Sequence, residues 1–129
     1  MAITFTDREL DVMGVLWSKG SGTVAEVRNA LSDDLAYTTV LTVLRTLQEK
    51  GYVRPVPEGR AHRYFPTVTQ QEAGKSVLAR VLDKVFAGSS ESLLTQLVSD
   101  RTLPPDELRR LRKLLDDRLT ASPKRGGKR

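Results

Sequence analysis

Apolar positions recur with a helical period through most of the chain, and three stretches open with one start signal. Thr6-Asp-Arg-Glu9, Thr23-Val-Ala-Glu26 and Thr69-Gln-Gln-Glu72 each set a Glu three places after a Thr. In such a capping box the Thr hydroxyl accepts from an early backbone N–H and the Glu reaches back to the cap. After the first signal, Leu10, Met13, Val15, Leu16 and Trp17 form a broad apolar face. This predicts a helix from about Asp7 to Lys19, ended by Gly20-Ser-Gly22. Val24, Val27, Ala30 and Leu31 predict a second helix over Val24 to Leu31, broken by Ser32-Asp-Asp34. Val40, Val43, Leu44 and Leu47 predict a third, from Tyr37 or Thr38 to Lys50, with Gly51 as a left-handed stop.

The period then changes. Tyr52-Val-Arg-Pro-Val56 and Ala61-His-Arg-Tyr-Phe-Pro-Thr67 read as short extended runs around a turn, Pro57-Glu-Gly-Arg60. Arg54, Pro55 and Pro57 suit an exposed edge hairpin, with one of Tyr64 and Phe65 packed beneath it. Beyond it, Val77, Leu78, Val81, Leu82, Val85 and Phe86 form one stripe on a helix from Gln70 to Ala87. Leu93, Leu94, Leu97 and Val98 mark a shorter helix over Ser90 to Ser99. After Leu103-Pro-Pro105, Leu108, Leu111, Leu114, Leu115 and Leu119 mark a last one over Asp106 to Leu119. The predicted fold is mostly α with a small β-hairpin wing. A winged helix-turn-helix head spans residues 1–68, a three-helix dimerisation region 69–121 and a basic, disordered tail 122–129. The region after the head has wide Leu/Val stripes and no strand to cover them. A two-fold copy of the chain is the economical cover; folding back on the head as a monomer is the alternative.

Composition narrows the function. There is no cysteine and one histidine, so disulfides, thiol catalysis and zinc ribbons are excluded and neither a metal nor a cofactor is expected. No apolar run approaches the roughly 18 residues of a membrane span. The opening residues lack a basic segment and an apolar signal core; a cytoplasmic protein without membrane insertion is expected. No Gly-rich phosphate loop, histidine pair or recognisable carboxylate pair suggests an enzyme. The net charge is +5 over 129 residues. The first 70 residues are balanced, however, so total charge says little and local placement decides.

In a helix-turn-helix the second helix of the pair enters the major groove of double-stranded DNA. Removing the buried stripe from the helix over 37–50 leaves Tyr37, Thr38, Thr39, Thr42 and Arg45 facing out. Thr hydroxyls suit phosphates or bases, and Thr methyls suit the thymine methyl. With no Asn or Gln before Gln48, base readout is expected to be modest. Lys50, Arg54, Arg60 and Arg63, on or beside the wing over 53–66, supply a phosphate grip. His62 admits a DNA contact, a pH-sensing role or a structural or merely exposed place on the wing, and Trp17 reads as core.

Four segments together resemble the BlaI/MecI/CopY repressors, the penicillinase repressor family. They are Glu9-Leu-Asp-Val-Met-Gly-Val-Leu-Trp17, Thr23-Val-Ala-Glu-Val27, Ala36-Tyr-Thr-Thr-Val-Leu-Thr-Val-Leu-Arg-Thr-Leu-Gln-Glu-Lys-Gly51 and Glu58-Gly-Arg-Ala-His-Arg-Tyr-Phe-Pro66. The resemblance implies a bacterial homodimeric repressor on palindromic operators, with Thr38, Thr39 and Thr42 at the DNA and Arg60 on the wing. The copper-responsive branch carries C-terminal Cys-x-Cys pairs, which this chain lacks, so copper sensing by that route is excluded. In the β-lactam-responsive branch a sensor protease is the inactivating partner and cuts an Asn-Phe pair; the matching position here reads Gln96-Leu97. The competing class is a winged-helix protein-interaction module, which would not need Arg60 and Arg63 and would bind with less dependence on salt.

Overall fold

All three start signals form as capping boxes. The amides of Glu9, Glu26 and Glu72 donate to the hydroxyls of Thr6, Thr23 and Thr69 at 3.1, 3.2 and 3.0 Å. Each Glu carboxylate accepts in return from its Thr amide. The computed structural model describes residues 3–100 and 102–121; the basic tail expected over 122–129 lies outside them. The elements run α1 (Asp7–Lys19), β1 (Gly22–Thr23), α2 (Val24–Ala30), α3 (Tyr37–Glu49), β2 (Val53–Glu58), β3 (Ala61–Pro66), α4 (Gln70–Lys84), α5 (Ser90–Asp100) and α6 (Pro105–Ala121). Most predicted bounds hold to within two residues.

Three differences have physical reasons. A strand absent from the apolar pattern follows α1: Gly22 and Thr23 pair with Tyr64 and Arg63, so the hairpin becomes a three-stranded sheet in the order β1-β3-β2. Two residues are too few to show a period. Second, β2 continues through Pro57 and Glu58 rather than ending before the expected Pro57–Arg60 turn. Pro55 and Pro57 are two apart, so both missing N–H groups lie on one side, and β2 is an edge strand with an unpaired side to offer. The connection shrinks to Gly59-Arg60, with Gly59 at φ 61°, as a two-residue turn requires of its first central position. Third, α4 stops at Lys84 rather than Ala87. The backbone turns left-handed at Ala87 and Gly88, and the Gly88 amide closes on the Leu82 carbonyl at 2.9 Å, which satisfies a terminal acceptor.

The chain groups into two compact units, Met1–Val81 and Leu82–Arg129. In the first, α1, α2 and α3 enclose Val12, Met13, Leu16, Val24, Val27, Val40, Leu44 and Leu47, and Val53 and Tyr64 close the core from the sheet. Val12, which the expected α1 face omitted, is fully buried; Leu10 and Val15 are half-buried. Trp17 packs against this core as expected, and its indole N–H donates to the Val68 carbonyl at 2.9 Å. Tyr64, not Phe65, is the wing residue that is buried. The start of α4 belongs to this unit too, because Ala73 is buried and the Ser76 hydroxyl bonds both the amide and the carbonyl of Ile3. The second unit holds the end of α4 with α5 and α6, and neither α5 nor α6 has a buried residue. Among the described residues no helix is long and apolar enough to cross a membrane.

Leu44 is fully buried at the centre of the head core. Leu44→Ala is expected to cost about 2–5 kcal/mol, read as a lower urea midpoint with an unchanged denaturant slope.

Candidate nucleic-acid interface

The head core takes one face of α3, burying Val40, Leu44 and Leu47 and half-burying Leu41 and Val43. The opposite face is thereby turned to solvent. Tyr37, Thr38, Thr39, Thr42 and Arg45 are all exposed, as their positions between the buried ones predict. Unlike α1, α2 and α4, α3 starts without a side-chain cap: Ala36 occupies the N-cap and the first turn has no acidic residue. The Thr39 amide turns back to the Ala36 carbonyl at 3.1 Å, and the amides of Tyr37 and Thr38 remain available as donors. The Thr42 hydroxyl donates to the Thr38 carbonyl at 2.9 Å, leaving its oxygen lone pairs free to accept.

Basic residues divide sharply. Arg45 and Arg60 are exposed, and neither they nor Arg54 form an ion pair among the described residues. Arg60 occupies the wing turn. Arg54 stands opposite Phe65 across the β2–β3 ladder, its guanidinium carbon 4.9 Å from the ring centroid, a cation–π contact that steadies the side chain without neutralising it. Arg45, Gln48, Pro55, His62 and Tyr64 line a shallow notch between α3 and the sheet. Gln48 and His62 are thus neighbours of Arg45. The signal was present in the sequence as a three-residue step from Arg45 to Gln48 on one helix and alternation along β3, but pairing the two needs the tertiary fold.

Lys50 and Arg63, expected at the phosphate grip, are committed elsewhere. The Lys50 ammonium donates to the buried Glu9 carboxylate at 2.8 Å and to the Thr4 carbonyl, tying the end of α3 to the start of α1. Burial by itself would raise the Glu9 carboxyl; the Lys50 ammonium and the Thr6 amide outweigh it and hold the group below its ordinary range. Arg63 is bound by Glu26 and Glu58 together. Its hydrogen bonds pull both carboxyls down, and the two carboxylates raise the guanidinium further above its already high value. The local basic surplus therefore rests on Arg45, Arg54 and Arg60.

The profile of the penicillinase repressor family matches residues 5–117. The chain belongs to the penicillinase repressor family. This is a family of transcriptional repressors rather than enzymes. Over 113 residues the chain is 38% identical to the transcriptional regulator BlaI of Mycobacterium tuberculosis, covering 84% of this chain and 80% of that one. Over 114 residues it is 26% identical to the penicillinase repressor of Bacillus licheniformis, covering 87% and 89%. A crystal structure of an Escherichia coli MarR mutant superposes with a TM-score of 0.51 at 21% identity, covering 89% and 78%; that likeness concerns the fold, a winged helix-turn-helix.

For this repressor-family chain, the Glu9–Lys50 bond carries a pH consequence. A carboxyl whose folded value is depressed stabilises the fold above its unfolded value, and that contribution is lost as pH falls through the folded value. Lys50→Met is expected to cost about 1–2 kcal/mol near neutrality. The gap to the unmodified protein should close as pH drops below the ordinary carboxyl value of 4.5, measured by urea titrations across acid pH.

Proposed function

We propose that the chain is a homodimeric, sequence-specific transcriptional repressor that occupies a palindromic operator through α3 and the β2–β3 wing. The observation that carries this reading is the solvent-facing side of α3. It combines an uncapped N-terminus, three threonines and Arg45, beside a wing whose Arg54 and Arg60 have no carboxylate partner among the described residues. A helix N-terminus with free amides suits phosphate, and the threonines and Arg45 lie along the same face for the groove. In this reading the DNA-binding head is residues 1–68 and the dimerisation region residues 69–121.

Dimerisation is supported by the apolar side chains left on the later helices. Leu78, Val85, Leu94, Leu97, Val98, Leu108, Leu114 and Leu115 are each at least 40% exposed, while Val77, Val81, Leu82, Phe86, Leu93 and Leu111 are half-buried. Burying such an aliphatic side chain is worth roughly 1.5–3 kcal/mol, so a second copy is a strong thermodynamic sink for them. Two heads on one dimer would meet two half-sites about one helical turn apart, or a multiple of that. An inactivating sensor protease is the partner that the β-lactam-responsive branch of the family suggests. Gln96 and Leu97 are exposed but lie within α5, so cutting there requires that helix to open first.

Fluorescence anisotropy on a duplex selected from a random-sequence library, beside a scrambled duplex, tests the DNA reading. Affinity should favour the selected duplex and fall steeply with salt, and Arg60→Ala should lower the salt slope by about one. Equal, weak binding to both duplexes would instead favour the protein-interaction module. Sedimentation equilibrium should show a dimer, which Leu97→Asp combined with Leu115→Asp converts to monomer with an intact head melting transition.

A further inference from the structure

Arg63 has every one of its donors occupied. A guanidinium carries five N–H groups, and five hydrogen bonds are formed. Nε donates to Glu58 Oε1 at 2.8 Å. One terminal nitrogen donates to Ser21 Oγ at 3.2 Å and Glu26 Oε1 at 2.9 Å. The other donates to Glu26 Oε2 at 2.8 Å and Glu58 Oε2 at 3.0 Å. Both edges of the fork are therefore bidentate to carboxylates, the geometry in which such pairs are strongest. Three charged groups sum to −1, a poor surface for a phosphate.

The partners lie on different elements. Glu26 is the third residue of α2 and closes its capping box. Ser21 precedes β1, Glu58 ends β2 at the wing turn, and Arg63 itself sits in β3 between Thr23 of β1 and Val56 of β2. Glu58 is two residues from Arg60. Without the guanidinium, Glu26 and Glu58 would face each other as like charges across the junction of helix and wing. From this arrangement we infer that Arg63 is a positioning residue, which locks the wing to α2 and so fixes where Arg60 meets the DNA backbone. The inference rests on the DNA-binding reading above. It replaces the sequence expectation that Arg63 itself grips phosphate.

The clamp and a phosphate contact predict opposite signs for one variant. Glu26→Gln removes a negative charge, which by charge alone would tighten DNA binding, yet Gln preserves the capping box. With the clamp, Glu26→Gln weakens binding of the selected duplex by about threefold to tenfold, Arg63→Gln does the same, and the double variant is no weaker than Arg63→Gln alone. Arg63→Lys keeps the charge but cannot make two forks, so it fails to restore affinity. In the DNA-free, full-length protein, amide hydrogen exchange at residues 58–61 speeds up in each variant while the α1 and α3 core amides stay protected, which also shows that the variants fold. The inference is overturned if Arg63→Lys binds as the unmodified protein does while Glu26→Gln binds equally or more tightly, or if exchange at the wing turn is unchanged. Failure of the unmodified protein to prefer the selected duplex would overturn the DNA reading itself, whereas the exchange measurement judges the clamp without DNA.

Discussion

The burial of one side of α3 is the constraint on which the rest of the head depends. Val40, Leu44 and Leu47 cannot leave the core without exposing a large apolar area. With that stripe fixed against α1 and α2, helical geometry dictates what faces outward. Thr38, Thr39, Thr42 and Arg45 are presented because the residues between them are held; the Thr42 hydroxyl's bond to the Thr38 carbonyl stays within the helix. The arrangement is rigid where it is apolar and chemically open where it is polar, which a recognition surface requires.

Charge then determines how the pieces around α3 are joined. Lys50 and Glu9 bind its far end to the start of α1, and Arg63 with Glu26 and Glu58 binds the wing to α2. Both cross-links draw on a Glu that already serves a capping box, so one carboxylate organises a helix start and a tertiary contact together. The consequence for recognition is economy of positive charge. Around α3 and the wing, the cations used for assembly are neutralised, whereas Arg45, Arg54 and Arg60 form no ion pair among the described residues.

The later helices follow a different logic. Their stripes have the spacing of core-facing helices, but α5 and α6 bury no residue within one chain. Such a pattern is complete only when another surface covers it, and for a protein whose heads are proposed to read a palindrome, a second copy satisfies both requirements at once.

Local chemistry in the sequence was sufficient for the helices, their capping boxes, the edge character of β2 and the outward face of α3, because each depends on residues within one or two turns of one another. Family membership was likewise legible in four short segments. Tertiary structure decided what depends on residues far apart in the chain. Gly22 and Thr23 become a strand only because β3 arrives beside them, Ser76 joins the head only because Ile3 meets it, and His62 gains Arg45 as a neighbour only where α3 packs beside the sheet. The same holds for charge: composition counts Lys50 and Arg63 as cations facing outward, but whether a cation is free depends on which carboxylates the fold brings within hydrogen-bonding distance. Charge can be read from the chain; its availability is a property of three-dimensional proximity.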